Sequence, residues 1–284
     1  MVLESHIFDF IYILSIYKMS KKKYDLTVLP IKPPKMSQQI EHDPRFFDIN
    51  NGSCCLHIAP PRSGKTVLIT NMILNPNFNL IEKLDAIHIY SSTMDSGDAS
   101  ARHLVEATPQ TIYNEYSDNH LKKILDFQMS FPKSERPNIA IFFDDFITFP
   151  NLTRNSLIYK LASAYRHYNI KLLYFSSQFY RAVPVSLRSC INYAILSANS
   201  NQRELVKMEE ELGSRYDGKF LKLHREATSV PYAFLYLRLY DQPATAYRNF
   251  TEKIYQAKMN GTTSFDVRSI PSKKGEIFED EEED

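Results

Sequence analysis

The sequence predicts an α/β fold in which helices cover both faces of a mainly parallel β-sheet. Five short apolar runs alternate along the chain with four longer segments of helical periodicity, the order typical of parallel strands joined by helices. The apolar runs are nearly continuous, as expected for strands buried on both faces. At 284 residues, 43% hydrophobic and 24% charged, the chain is long enough to bury a core, and its composition excludes collagen-like and wholly disordered proteins.

The predicted elements are short and regularly spaced. The strands are residues 54–59, 86–90, 139–143, 171–176 and 192–196, and the helices are residues 65–74, 121–129, 155–168 and 202–212. Side chains then alternate along 220–224 and 232–240, which predicts an antiparallel hairpin added to the sheet edge. The aromatic side chains of 232–240 either belong to the core or form a face on which nucleic-acid bases stack.

Composition divides the chain into three parts. Residues 1–45 are expected to be a basic, proline-bearing N-terminal arm or extension, 46–240 the folded domain, and 241–284 a largely unstructured C-terminal extension with an acidic tail. The chain has 34 basic and 33 acidic residues, but seven of the acids lie in 276–284, so the rest carries about +8. Such a body is compatible with a polyanionic partner.

Targeting signals are weak. The apolar run 7–17 is too short to span a bilayer, and its lysines follow it, whereas a signal peptide places positive charge first. We therefore expect no stable membrane insertion. The run is either a packing helix or an extension upstream of a start at Met19. Three cysteines without a CxxC pair argue against a disulfide framework or a structural zinc site and indicate a reducing compartment.

The strongest chemical signal is a phosphate-binding loop between the first strand and the first helix. Its residues are Ala59, Pro60, Pro61, Arg62, Ser63, Gly64, Lys65 and Thr66. This context is the one that a Walker A loop requires, because backbone N–H groups at a helix N-terminus bind phosphate. Gly64 allows close backbone approach, Lys65 reaches the β- and γ-phosphates, and the Thr66 hydroxyl can bind Mg²⁺. The two prolines lack N–H donors and the loop holds a single glycine, so the alternative is a chance Gly-Lys-Thr before a helix.

A second acidic strand has the form of a Walker B element. The apolar run 139–143 is followed by Asp144 and Asp145. Asp144 is predicted to hold Mg²⁺, and Asp145 to polarise the attacking water as a general base. The alternative is a solvated Asp-Asp turn. Because the sequence has no Asn-Lys-x-Asp run to recognise guanine, ATP is favoured over GTP.

Further polar residues could complete the site. Gln178 follows the strand 171–176, where it could hydrogen-bond the γ-phosphate or its water, or simply begin a hydrophilic loop. Arg166, Arg181 and Arg188 follow the second acidic strand, and one of them could be an arginine finger supplied by a neighbouring subunit. Arg166 is the first candidate and Arg188 the second; each could instead be a surface or salt-bridge residue.

Taken in order, these motifs resemble a known family. The chain reads SGKT, AIHIYSS, FFDD, YRHYNIKLLYFSSQ and VPVSLRSCINYAI. Over about residues 47–240 it resembles the genome-packaging ATPases of large DNA viruses and virophages, the poxvirus-type branch of the FtsK–HerA superfamily of P-loop ATPases. The more specific part of the likeness is the Arg-His pair at Arg166, the strand ending at Gln178, and Arg188.

The resemblance implies a RecA-like P-loop NTPase fold, a three-layer sandwich with the phosphate-loop strand central. It also implies a ring-forming, Mg²⁺-dependent ATPase that moves double-stranded DNA into a preformed capsid. Its implied partners are double-stranded DNA, other copies of the chain, and capsid or portal-like virion proteins, and its location is the host cytoplasm (the virus factory) and the virion. By position, nucleotide binding falls to Lys65 and Thr66, Mg²⁺ to Asp144, the base to Asp145 and the sensor to Gln178.

Two other functions remain open at this point. A nucleoside or nucleotide kinase also uses a phosphate loop, but it requires an acceptor pocket and a lid, and it leaves Asp144, Asp145 and Gln178 unexplained. A non-catalytic, nucleotide-dependent assembly scaffold would dock on capsid proteins through the N-terminal arm or the acidic tail. A DNA-stimulated ATPase activity separates the motor from both.

Overall fold

The structure, a computed structural model, describes residues 39–94, 101–108, 111–150, 152–153 and 155–258. The expectations for the N-terminal run 7–17, for the start at Met19 and for the acidic tail therefore lie outside the described residues. The domain boundaries predicted from composition stay predictions. Among the described helices, none combines the length and the apolar character needed to cross a bilayer.

Strands and helices alternate through most of the described chain. The strands are β1 Ser53–Ile58, β2 Ala86–Tyr90, β3 Ile112–Tyr113, β4 Ile139–Phe143, β5 Ile170–Ser177, β6 Tyr193–Ser197, β7 Phe234–Arg238, β8 Thr245–Arg248 and β9 Glu252–Gln256. The helices are α1 Lys65–Leu74, α2 Leu80–Lys83, α3 Arg102–Ala107, α4 Asp118–Met129, α5 Leu157–Ala164, α6 Val185–Arg188, α7 Gln202–Leu212 and α8 Phe220–Ala227.

The described strands form one sheet in the order β3-β2-β4-β5-β1-β6-β7-β8-β9. Pairing is parallel from β3 to β6 and antiparallel from β6 to β9. This arrangement confirms the mainly parallel sheet with antiparallel C-terminal strands. The phosphate-loop strand β1 lies at the centre, and β5 separates it from β4. Because parallel strands end at one edge, the residues that follow β1, β4 and β5 meet there.

Helices cover both faces, so the molecule has the predicted three layers. On one face the sheet packs against α1, through Ile69 and Met72, and against the segment before β1, through Phe47. On the other it packs against α4, α5, α7 and α8, with Leu125 and Leu161 among the buried residues. Along β1 alternate side chains point into the two cores, yet all six residues are buried. This explains why the strand shows no polar alternation in the sequence.

The segment 220–224 is a helix and not the first strand of a hairpin, which corrects the prediction. Helix α8 buries positions spaced three and four residues apart: Phe220, Leu223, His224 and Ala227. That spacing is the signature of an amphipathic helix. A window of five residues is too short to distinguish it from the alternation of a strand, and the longer window to Ala227 would have shown the helix.

The antiparallel strands continue beyond residue 240, in a segment expected to be largely unstructured. Strand β7 pairs with β8, and β8 with β9. Packing of Phe250, in the turn between β8 and β9, helps to hold them. The Phe250 ring lies 4.9 Å from Tyr236 and 5.1 Å from both Phe46 and Phe234, measured between ring centroids. The polar sequence hides these strands because most residues of β9 are exposed at the sheet edge.

A shortened chain tests whether these strands belong to the domain. A chain ending at Tyr240 loses β8, β9 and Phe250, and its free energy of unfolding should fall by at least about 3 kcal/mol, the usual cost of removing one buried aromatic side chain. A chain ending at Lys258 keeps them and is the reference. Urea denaturation measures both. Equal stability of the two shortened chains would contradict the described packing.

Candidate active site

The loop after β1 turns sharply into α1. Gly64 occupies the left-handed region, with φ 86° and ψ 16°, and Arg62 also has a positive φ of 64°. The Ala59 N–H donates to the Ser177 carbonyl at 2.9 Å, which ties the loop entrance to β5. Helix α1 begins at Lys65, so its first backbone N–H groups lie at the carboxyl edge of the sheet. Such groups have no partner within their helix and are suited to bind an anion.

Lys65 forms ion pairs with both acids that follow β4. Its Nζ contacts Asp145 Oδ2 directly and lies 3.5 Å from Asp144 Oδ1. The Lys65 side chain is only 12% exposed and that of Asp144 is 0% exposed. The lysine therefore spans the end of the intervening strand β5. The structure brings together the phosphate loop and the acidic strand, as the motif pairing predicts.

Asp144 is held by hydroxyl groups from both sides. The Ser176 Oγ on β5 donates to Asp144 Oδ1 at 2.7 Å, and the Ser91 Oγ after β2 donates to Oδ2 at 3.0 Å. Together they fix the plane of a buried carboxylate. The sequence analysis gave neither serine a role. The available signal was their position at or just after the end of an apolar strand of a parallel sheet.

Asp145 has an unusual backbone and a half-satisfied carboxylate. It adopts φ 47° and ψ 40°, the left-handed region that a non-glycine residue rarely occupies and that is often found at functional sites. Its backbone N–H donates to Ser176 Oγ at 2.8 Å, which helps to hold this conformation. Its Oδ1 is buried and has no hydrogen-bond partner among the described residues. The carboxylate thus has one oxygen paired with Lys65 and the other unpaired within the described residues.

Gln178 and Thr66 lie at the same edge. Gln178 follows β5, which pairs in parallel with β1, and its Nε2 is 3.5 Å from Asp145 Oδ2. Thr66 is the residue after Lys65 in the first turn of α1 and is half-buried. The structure thus places Gln178 beside the predicted base. A metal shared by Thr66 and Asp144 stays a prediction.

The donor set is compatible with Mg²⁺ held partly by substrate. Mg²⁺ commonly takes one or two protein ligands and completes its shell with phosphate oxygens and water. The Asp144 carboxylate, oriented by two serines, and the Thr66 hydroxyl are ligands of this kind. The described residues contain no cluster of three or more His, Cys, Asp or Glu side chains suited to a metal. Asp144 and Thr66 therefore fit an Mg²⁺ ion that is held jointly with the phosphates of a nucleotide.

Neither arginine-finger candidate reaches Lys65 of its own chain. Arg166 lies in the 3₁₀ turn Tyr165–Tyr168 before β5, at the amino edge, about 20 Å along the strand from the loop. It is exposed, and its Nε donates to the Tyr165 hydroxyl at 3.2 Å. Arg188 is bound to Glu211 at 2.5 Å with its side chain 7% exposed. Arg166 is therefore exposed to solvent, whereas Arg188 is held by Glu211 of its own chain.

A buried histidine lies on β1, just before the phosphate loop. His57 on β1 hydrogen-bonds the Tyr174 hydroxyl on β5 at 2.5 Å and the Ser197 Oγ on β6 at 3.1 Å. It therefore joins the three central strands just before the loop begins. Burial lowers the pKa of His57 to about 3, with a smaller contribution from the Lys65 charge. The imidazole is neutral at physiological pH. The sequence analysis missed this residue because a lone histidine in an apolar strand gives no motif.

Comparison with solved structures places this fold among P-loop NTPases. The DNA-packaging ATPase B204 of Sulfolobus turreted icosahedral virus has 15% sequence identity and a TM-score of 0.51, over 70% of this chain and 97% of that one. The genome-packaging NTPase B204 of Sulfolobus turreted icosahedral virus 2, in complex with sulfate, has 15% identity and a TM-score of 0.50, over 70% and 96%. No protein-family model and no curated protein matches the chain.

The phosphate loop, the strand order and this structural likeness together show a P-loop NTPase fold. The structural likeness confirms the fold predicted from the sequence, at an identity that shows fold alone. It also agrees with the family resemblance, since the similar protein is itself a packaging ATPase.

Acid titration tests the neutral state of His57. Its pKa lies below the unfolded value of about 6.5, so only the unfolded chain gains a proton as the pH falls below 6.5. The free energy of unfolding should therefore fall, by about 2 kcal/mol from this group between pH 7 and pH 5. Urea denaturation of His57→Gln should show a correspondingly smaller loss over that range. His103→Gln, at an exposed histidine, is the control and should keep the full loss. An equal loss in wild type and His57→Gln would contradict this assignment.

Proposed function

We propose that this chain is an Mg²⁺-dependent, ATP-hydrolysing DNA translocase that packages viral double-stranded DNA into a capsid. The observation that supports it most is the ion pairing of Lys65 with Asp144 and Asp145 across β5. In a P-loop fold such a cluster would bring together a phosphate-binding lysine, a metal ligand and a base in one site. The structural likeness to a packaging ATPase and the sequence motifs support the same activity.

The site residues have separate tasks in hydrolysis. The loop N–H groups and Lys65 bind the β- and γ-phosphates, so the ammonium exchanges part of its carboxylate pairing for phosphate oxygens. Asp145 accepts a proton from the attacking water, for which its buried Oδ1 is the available oxygen. Gln178 orients that water or the γ-phosphate. Mg²⁺, held by Asp144 and Thr66 together with the phosphates, would neutralise charge that develops on them.

A homo-oligomeric ring would complete the site. An arginine finger that lies far from the phosphate loop of its own chain would act in the site of a neighbouring copy. It must be exposed to reach that site. Arg166 meets both conditions. Arg188 would first have to leave Glu211, so it is the weaker candidate. The excess of basic residues outside the acidic tail supports sequence-independent contact with DNA phosphates. Capsid or portal-like partners, and residence in the virus factory and the virion, belong to the same proposal through the family resemblance.

Two substitutions separate binding from hydrolysis. Asp145→Asn removes the base and one of the negative charges that repel a triphosphate, so ATP should bind at least as tightly while kcat falls about 100-fold or more. Lys65→Ala should abolish nucleotide binding. Calorimetric titration and phosphate release measure these effects, with Asp126→Asn on the exposed side of α4 as the control. Unchanged turnover in Asp145→Asn would remove Asp145 from the base role.

The DNA requirement distinguishes a motor from the two alternatives. Duplex DNA should raise the steady-state ATPase rate, and its apparent affinity should fall steeply with salt because phosphate contacts release counterions. The assay compares phosphate release with and without duplex DNA at several salt concentrations. A kinase would transfer phosphate to a nucleoside without needing DNA. A scaffold would bind ATP with negligible turnover whether or not DNA is present, and either result would contradict the proposal.

A further inference from the structure

An apolar cavity lies beside the phosphate loop. Its volume is about 450 Å³, within the range of small-molecule sites. The first turns of α1 form one wall, with Val67 and Leu68 directly after the loop, and Phe234 and Phe250 line it from the antiparallel strands. Two carboxamides, Asn71 and Asn249, are the polar side chains of its lining. A mainly apolar pocket with a few hydrogen-bonding groups suits a flat aromatic ligand.

Tyr232 connects this cavity with the phosphate loop. It lines the apolar cavity and also a second cavity of about 360 Å³ formed with Pro61 and Ser63 of the loop. Its backbone has a positive φ of 64°, and its side chain lies against Gly64, where a Cβ would come within 3.2 Å of the ring. The Tyr232 side chain is nevertheless 74% exposed. A large aromatic ring held at the loop and open to solvent has a free face for stacking.

The order of strands in the sheet determines which part of a bound nucleotide reaches this cavity. Asp144 and Asp145 follow β4, on one side of the central β1, whereas β6 and β7 lie on the other side. Strand β7 runs antiparallel, with Phe234 at its start opposite Ser197 at the end of β6, so Tyr232 enters from the same carboxyl edge. A triphosphate bound across β1 with its γ-phosphate at the acids therefore directs its nucleoside toward Tyr232.

We infer that this cavity is the nucleobase site and that Tyr232 is the residue on which the base stacks. This inference rests on the proposed function, since it names the part of the substrate that the phosphate loop leaves unrecognised. Its occupant is the base of the bound nucleoside triphosphate, which is adenine in the proposed reaction. The site adds affinity for nucleotide over inorganic polyphosphate. Val67, 49% exposed at the cavity, supplies apolar contact from α1.

The test compares ATP with inorganic tripolyphosphate, which has the phosphates but no base. Calorimetric titration of the full chain with each ligand in Mg²⁺ gives two affinities. Tyr232→Ala should weaken ATP binding about tenfold or more, as loss of a base–aromatic stack does, and leave tripolyphosphate binding within twofold of wild type. Tyr232→Phe keeps the ring and should bind ATP like wild type. Phe127→Ala, at an exposed aromatic residue on α4, should change neither affinity.

The outcomes separate this inference from the proposed function. If wild type binds neither ligand, the proposed ATPase function fails and the base site fails with it. If wild type binds ATP and Tyr232→Ala binds it equally well, the base-site inference alone is overturned. Equal weakening of both ligands in Tyr232→Ala also overturns it, because the side chain would then act on the loop and not on the base. Because Tyr232 is largely exposed, its replacement should leave the thermal midpoint unchanged, and thermal unfolding of wild type and variant verifies this.

Discussion

The site depends on keeping three ionisable side chains together where they are almost completely buried. A buried charge costs several kcal/mol unless it is paired and hydrogen-bonded. Lys65 is paired with both acids, and hydroxyl groups of Ser91 and Ser176 complete the bonding of Asp144. A buried ion pair gives little net stability compared with apolar residues of the same size. The ion-paired cluster at the sheet edge, beside a phosphate loop, is therefore better explained by a chemical role of the site than by a contribution to folding stability.

The order of strands gives the phosphate loop two different sides, and the charge cluster lies on one of them. With β5 between β1 and β4, the lysine must reach over a strand end that also carries Ser176 and Gln178. The groups proposed to act in hydrolysis thus lie on one side of the phosphate loop. On the other side, β6 and β7 bring aromatic side chains to the loop, and Tyr232 lies against Gly64. The same topology accounts for the proposed reaction at the phosphate end of a nucleotide and for the proposed recognition of its base at the other end.

The sequence predicts this architecture where pattern and position determine the outcome locally. Bounds of α1, β2, β4 and α7 agree with those predicted, because a motif, an apolar run or the helical spacing of buried residues defines each. The predicted helix 155–168 instead ends at Ala164 and continues as a 3₁₀ turn closed by Asn169 in the left-handed region. Strands β8 and β9 escaped prediction because pairing of β8 with β7 and of β9 with β8, and not their own composition, stabilises them.

At the site, sequence reasoning predicted the residues that belong to motifs and missed those defined by tertiary contact. Lys65 and Asp144 follow from the loop and from the acidic strand. Nothing local distinguishes Ser91, and His57 is a single polar residue in an apolar strand. Tyr232 was assigned to the strand that follows, whose other aromatic residues, such as Tyr236, are indeed core. Its left-handed backbone and its contact with Gly64 depend on the folded chain.

The most direct measurement is a crystal structure of the full chain with Mg²⁺ and a non-hydrolysable ATP analogue. We expect one Mg²⁺ to contact both Thr66 and Asp144, and the γ-phosphate to lie between Lys65 and Asp145. An analogue bound away from the loop would contradict this expectation, as would a bound metal that neither Thr66 nor Asp144 contacts.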